Sequence, residues 1–223
     1  MSEIKVIFAL PGREFSGRFL SCWTELLNAC QQNGISAGLS QRYSSNVYYV
    51  RNLCLGGNSV DGVTQKPFRG KVDYDYIMWI DSDIYFRPEQ FFRLLEADKD
   101  IISGLYIMDD NIHYATVEDW DEKYYINNGN FRFLQRQDVK KKGKLFKVDY
   151  TGFGWMLIKK GVFESMEYPW FEPYWSEFKT NKTLVKEFTS EDVSFCKRAQ
   201  KNGYDIWIDP TVIVGHEKNM ILI

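Results

Sequence analysis

The sequence predicts an α/β domain in which a mostly parallel central sheet is flanked by helices and accompanied by a smaller antiparallel ribbon. Three observations carry this. The run Tyr76-Ile77-Met78-Trp79-Ile80 is apolar throughout and stops at Asp81-Ser82-Asp83, the pattern of a strand buried on both faces that empties into a polar edge. Apolar runs of this kind alternate with stretches of helical spacing, as in βαβ units. With 223 residues, the chain can bury roughly 70% of its unfolded surface in one core, so a second domain is not required.

Composition narrows the class. A net charge of −2 argues against a general nucleic-acid binder, which would need surplus Lys and Arg on one face; Lys140-Lys141-Lys142 reads as a solvated turn. The four cysteines, Cys22, Cys30, Cys54 and Cys196, form no CxxC pair. Cys22 and Cys30 fall on one predicted helix, about 12 Å apart by helical rise, so reduced and mostly buried thiols are expected. The first apolar segment, Ile4 to Leu10, is too short to span a membrane and ends in Pro11-Gly12 rather than a cleavage site. The chain therefore reads as soluble and cytosolic. Its last residues, Asn219 to Ile223, carry no polar tail, which leaves room for a longer multidomain protein.

Ile4 to Leu10 is the first buried strand, and Pro11-Gly12 turns the chain toward the edge that holds Asp81. Phe19, Leu20, Trp23, Leu26, Leu27 and Cys30 share helical spacing, with Gly34 as a left-handed cap. After a strand around Ile35 to Leu39, Ser44 or Ser45 is expected to cap a helix whose Val47, Val50 and Cys54 face inward, with Arg51 and Asn52 pointing elsewhere. Gly56 to Lys71 has no period and reads as a loop. Pro88-Glu89 suits the first turn of a helix carrying Phe91 and Leu94, and Ile101 to Tyr106 returns as a strand. From Met108 to Phe146 aromatics alternate with polar groups, with turns at Asn127-Asn128-Gly129 and Lys142-Gly143, so antiparallel ribbons are expected.

Thr151-Gly152-Phe153-Gly154 then leads into the strand Trp155 to Ile158, through glycines that admit either a ligand or a tightly packed neighbour. Tyr168 to Trp175 concentrates flat rings between prolines, as a hydrophobic cover or a surface for sugar faces. Thr189 and Asp192 have the spacing of a capping box for a helix running to about Asn202, and a carboxylate held ionised there can also accept a proton from a hydroxyl. Tyr204 to Ile208 is a strand that Pro210 breaks, and Val212 to Gly215 carries the chain to His216.

Candidate chemistry gathers at few positions. Side chains alternate along extended backbone, so Asp81 and Asp83 would leave the chain on one side and converge on a cation, or on a cation and a ribose. The alternative is a turn in which each Asp bonds its own backbone. His216, one of two histidines, could complete an oxygen-rich metal site.

The order of the Leu-Pro-Gly turn, the strand ending in Asp81-Ser82-Asp83, the Gly152-Phe153-Gly154 entry, Ser190-Glu191-Asp192 and the late His216 resembles the GT-A glycosyltransferases over nearly the whole chain. It is similar to the small soluble members of bacteria and large algal viruses. The resemblance implies a Rossmann-like, GT-A type sheet with a nucleotide-sugar-binding half, about 1–106, and an acceptor-binding half, about 107–223. It implies a divalent cation, Mn²⁺ or Mg²⁺, on Asp83, with Asp81 reaching the ribose or the metal through water and His216 as a further ligand. Pro11, Gly12, Ser82, Tyr43, Ser44, Arg51 and Asn52 would meet a nucleotide-sugar, taken as a UDP-sugar carrying a hexose or deoxyhexose. Glu191 and Asp192 would face a glycan acceptor together with Gly152, Phe153, Gly154 and Trp155. Asp192 would be the general base of an inverting enzyme; in a retaining one the same acids would orient sugar hydroxyls.

Three rivals are weighed on sequence. A sugar-nucleotide pyrophosphorylase wants a longer phosphate loop than Pro11-Gly12-Arg13. A phosphohydrolase would place its aspartates after the first strand. A non-catalytic carbohydrate- or nucleotide-binding module would use the aspartates as a turn and the Glu-Asp pair as a cap.

Overall fold

Strands with no polar side chain must lie inside a sheet, and they do. The computed structural model describes residues 3–180 and 183–218; the apolar end at Asn219 to Ile223 lies outside them. In chain order the elements are β1 (Ile4–Pro11), α1 (Gly17–Gln32), β2 (Ile35–Arg42), α2 (Val47–Cys54), β3 (Tyr76–Ile80), β4 (Ile84–Tyr85), α3 (Pro88–Glu96) and β5 (Ile101–Leu105). They continue with β6 (His113–Val117), α4 (Glu122–Asn128), β7 (Phe133–Gln135), α5 (Arg136–Lys140), β8 (Phe146–Val148), β9 (Tyr150–Thr151) and β10 (Trp155–Lys159). The last are β11 (Trp175–Lys179), β12 (Leu184–Phe188), α6 (Glu191–Lys201), β13 (Ile206–Ile213) and β14 (Gly215–His216).

The central sheet has the order β2-β1-β3-β10-β5-β13-β8. β1 pairs in parallel with β2 and β3, and β13 with β5. β10 runs against both of its neighbours, β3 and β5, and β8 runs against β13. Alternation along β1 and β3 sends Phe8, Met78 and Ile80 to one face under α1 and α3, where Phe19, Leu26, Phe91 and Leu94 are buried. Ala9, Ile77 and Trp79 go to the other face, with Cys54 of α2 and Phe195 and Cys196 of α6. Of the antiparallel ribbons expected between Met108 and Phe146, β6 and β7 form a small sheet with β9; a further hairpin, β11-β12, lies outside that stretch.

Several local expectations are corrected. Asn46, not Ser44 or Ser45, caps α2 by accepting from the Tyr48 and Tyr49 amides. Ser190, not Thr189, is the N-cap of α6, so no capping box joins Thr189 to Asp192. Asn127-Asn128-Gly129 ends a helix rather than a hairpin, with Gly129 left-handed at φ +73°. Pro210 sits inside β13, where the register against β5 slips between Ile208 and Ile213. Leu20 is exposed and Cys22 takes the inner position on α1. All four cysteines are buried free thiols. Among the described residues no helix is long and apolar enough to cross a membrane.

Candidate functional site

β3 delivers Asp81 to the sheet edge, but the acidic pair is a turn. The Ile84 amide donates to the Asp81 carbonyl at 3.1 Å, and the Asp81 amide donates to Gly154 at 3.1 Å, at the entry to β10. The two carboxylates consequently do not converge as an extended strand would make them. Each has a different cationic partner.

Asp81 belongs to a buried triad. Arg51, 3% exposed on α2, donates from Nη1 and Nη2 to both Asp81 oxygens at 2.6 and 3.0 Å, and from Nε to Glu191 Oε1 at 3.2 Å. Its guanidinium carbon lies 5.4 Å from the Trp79 ring centroid and 5.2 Å from that of Phe153. Fork geometry and an aromatic sandwich suit Arg and not Lys. Burial pushes the Glu191 carboxyl up, Arg51 pulls it back, and the neighbouring Asp192 and Asp81 charges push it up again. The expectation that Arg51 points away from the core is wrong, and the signal was present. Arg51 is three residues before the fully buried Cys54, on the same helical face. Asn52 also turns inward, where it exchanges hydrogen bonds with the Phe171 backbone at 3.3 and 3.4 Å and pins the aromatic loop.

Asp83 faces the other end of the chain. The two-residue ladder of β4 with β14 sets His216 opposite Ile84, and His216 Nε2 lies 3.1 Å from Asp83 Oδ2 while Lys218 Nζ donates to the same oxygen at 2.9 Å. Burial opposes ionisation of Asp83, but hydrogen bonds from His216 and Lys218 prevail and hold its carboxyl down to about 2. His216 Nδ1 lies 2.7 Å from the Ile107 carbonyl, which can only accept, so Nδ1 carries a proton. Nε2 is then the nitrogen whose lone pair is free in the neutral ring. Burial lowers the His216 pKa, and its bonds to Asp83 and Ile107 outweigh this and raise it.

Asp192 opens α6 half-buried. Its Oδ2 accepts from the Tyr150 hydroxyl at 2.9 Å, and its Oδ1 accepts from the Val193 amide at 2.8 Å and from the Ser190 hydroxyl. These donors fix the orientation of the carboxylate. At the same edge, Gly12 closes against the acidic turn so tightly that a Cβ on it would stand 2.7 Å from Ser82 Cβ. Tyr43, exposed, and Ser44, half-buried, follow the end of β2 beside Pro11, with Arg13 over the Tyr43 ring at 5.9 Å.

Gly152 and Gly154 are explained by packing. Tyr106 lies across them, its hydroxyl oxygen 1.9 Å from where a Gly152 Cβ would be and its Cε1 2.8 Å from a Gly154 Cβ. Phe153 and Trp155 are core side chains, 1% and 0% exposed, so neither is turned toward an acceptor. Sequence reading passed over Tyr106, whose ring also meets His216 at 5.2 Å. Trp170 and Phe171 of the aromatic loop are fully buried, as a hydrophobic cover requires.

Among the described residues no group of three or more His, Cys, Asp and Glu side chains gathers to hold an ion alone. The donors that do meet, one carboxylate oxygen and one imidazole nitrogen, fit an ion shared with an oxygen-rich ligand rather than a closed protein cage.

No family model matches the sequence, and no curated protein does. Solved structures do. The chain is similar over 99% of its length to A197 from STIV, at 14% identity and a TM-score of 0.50, covering 97% of that chain. Over 97% of its length it is similar to GalNAc-T7 with UDP, GalNAc and Mn²⁺, at 10% identity and a TM-score of 0.50, spanning 44% of that longer chain. A third likeness is to the catalytic domain of Drosophila β1,4-galactosyltransferase 7 in complex with xylobiose, at 11% identity and a TM-score of 0.51, covering 97% of this chain and 71% of that one. Identities this low speak of fold, and the fold of this chain is that of the GT-A glycosyltransferases.

Proposed function

We propose that the protein is a metal-dependent glycosyltransferase that moves a hexose or deoxyhexose from a UDP-sugar to a carbohydrate hydroxyl. The observation that carries this is the gathering, at one sheet edge, of Asp83 with His216, the Arg51-Asp81-Glu191 triad, and the hydrogen-bonded Asp192. The UDP and Mn²⁺ named for the GalNAc-T7 structure support the donor class.

In this reading residues about 1–106 bind the donor and about 107–223 the acceptor. Pro11, Gly12, Tyr43, Ser44 and Ser82 border the nucleotide. Asp83 and His216 would hold Mn²⁺ or Mg²⁺, in competition with Lys218, which donates to the same Asp83 oxygen. When bound, the ion neutralises charge on the departing diphosphate. Arg51 fixes Asp81 in place, so Asp81 reaches the ribose or the ion only from its outward, partly exposed side. Asp192 takes the proton of the acceptor hydroxyl, held for that task by Tyr150 and the Val193 amide, and Glu191 keeps Arg51 aligned behind it.

Calorimetric titration of UDP and of GDP, each with and without Mn²⁺, tests the reading. Binding of UDP that requires Mn²⁺ is expected. If neither nucleotide binds the folded protein, the non-catalytic module replaces the transferase.

A further inference from the structure

Beside Asp192 lies a cavity of about 230 Å³ that the donor site does not use. Its walls are the rings of Trp120, Tyr125, Phe131, Phe133, Phe178 and Phe188, contributed by the chain around α4, by β7 and by the β11-β12 hairpin. The rings brace one another: Trp120 stacks on Phe131 at 3.8 Å, Phe131 on Tyr125 at 4.5 Å, and Tyr125 meets Phe178 edge-on at 5.2 Å. Lys197 Nζ sits 4.5 Å from the Trp120 centroid and fixes that indole further.

Trp120 Nε1 is buried on this lining without a hydrogen-bond partner among the described residues; the other polar side chains there are engaged within the protein. Tyr125 Oη donates to Glu187 at 3.0 Å, Tyr150 Oη to Asp192 at 2.9 Å, and the Ser190 hydroxyl to Asp192. Ser176 Oγ accepts from Lys197 at 3.4 Å, and Thr189 Oγ1 donates to the Tyr174 carbonyl at 3.0 Å. A sugar ring placed inside would leave most of its hydroxyls without partners, each a loss on desolvation. An apolar ring loses nothing. Size agrees, since a dry cavity of about 150 Å³ already admits benzene, so this one takes a single substituted aryl ring.

Resting on the transferase reading above, we infer that this cavity is the seat of an apolar aglycone: the acceptor carries a planar aryl group that fills the aromatic cavity and brings its hydroxyl to Asp192. The connection is direct, because Tyr150 and Ser190 belong both to the cavity wall and to the hydrogen bonds that hold the Asp192 carboxylate. An acceptor anchored there has its reactive hydroxyl one group away from the base. Specificity would then sit in the aglycone.

The test uses phenyl and methyl β-glucopyranoside as paired probes, titrated into the full chain by saturation-transfer NMR without nucleotide or metal. The phenyl glycoside is expected to bind at least roughly tenfold tighter, with its aryl protons the most strongly saturated. Val193→Phe, which adds a ring from the cavity lining into the void, should abolish that preference while melting at the wild-type temperature. Equal binding of the two probes, stronger binding of the methyl glycoside, or a phenyl preference that survives Val193→Phe overturns the inference. The nucleotide titration is independent. If UDP and Mn²⁺ bind but the phenyl preference is absent, the aglycone seat falls and the transferase stands; if the preference is present but no nucleotide binds, the transferase falls and takes with it the cavity's role as an acceptor seat.

Discussion

Replacing Arg51 by Met asks whether the triad is a charge-compensating unit. Met keeps the apolar stem between Trp79 and Phe153 but leaves Asp81 and Glu191 as neighbouring anions. Removing one partner of a buried ion pair costs about 3–5 kcal/mol. The Asp81 side chain is 27% exposed and that of Glu191 8%, so water screens part of the loss and the lower end, about 3 kcal/mol, is expected. In a domain of this size each kcal/mol moves the melting temperature by roughly 2–4 °C, so a fall of roughly 6–12 °C should appear in thermal unfolding of the metal-free protein at neutral pH. Arg51→Lys keeps the charge without the fork and should fall between the two. Adding Asp81→Asn to Arg51→Met should recover part of the loss. If Arg51→Met melts within roughly 2 °C of wild type, the triad contributes no net charge compensation and the reasoning fails.

Four further outcomes are expected. Asp83→Ala should remove Mn²⁺-dependent nucleotide binding, read by calorimetry, with the circular dichroism spectrum unchanged; retained binding would deny Asp83 a place on the ion. Gly152→Ala should destabilise by about 1–3 kcal/mol through its clash with the Tyr106 hydroxyl, and Tyr106→Phe, which removes that oxygen, should restore much of the loss in urea unfolding. Burial raises the Glu191 carboxyl above its ordinary value, so the folded state holds that proton longer than the unfolded chain does. The resulting penalty is absent below pH ~4.5 and grows as pH rises through the folded value. Glu191→Gln should therefore gain stability relative to wild type across that window and not below it. Burial lifts the Cys30 thiol to about 11 and the Cys54 thiol to about 12, so both should resist a thiolate-specific reagent at pH 8 in the native protein and react in guanidinium.

What could be read in the sequence was whatever burial writes as periodicity. β3 and β5 have every residue buried and stand out as apolar runs, and α1 shows its stripe through Phe19, Leu26 and Cys30. α4 could not be read because it buries none of its residues and so has no stripe. Site residues were found as types but not as partners. That Asp81 and Asp83 diverge depends on one amide, that of Ile84, closing a turn. That Arg51 is a core residue depends on two acids brought from residues 81 and 191. Periodicity records which face is inside; it does not record which charges will be waiting there.

The reversed strand β10 sits between β3 and β5, and this sets an order of assembly. During synthesis both flanking strands leave the ribosome some fifty residues or more before Trp155 does, and neither can satisfy its inner edge until it arrives. A nascent chain halted before β10 presents two strands, apolar except for Ser103 of β5, with open backbone edges, the template on which chains pair with one another. The edge that carries Asp81 is no safer, since the Gly154 carbonyl that holds the Asp81 amide comes with the same segment. The centre of this sheet thus waits for β10, and the other edge of β5 waits longer still for β13, so truncated products are expected to aggregate rather than to persist as half-built domains.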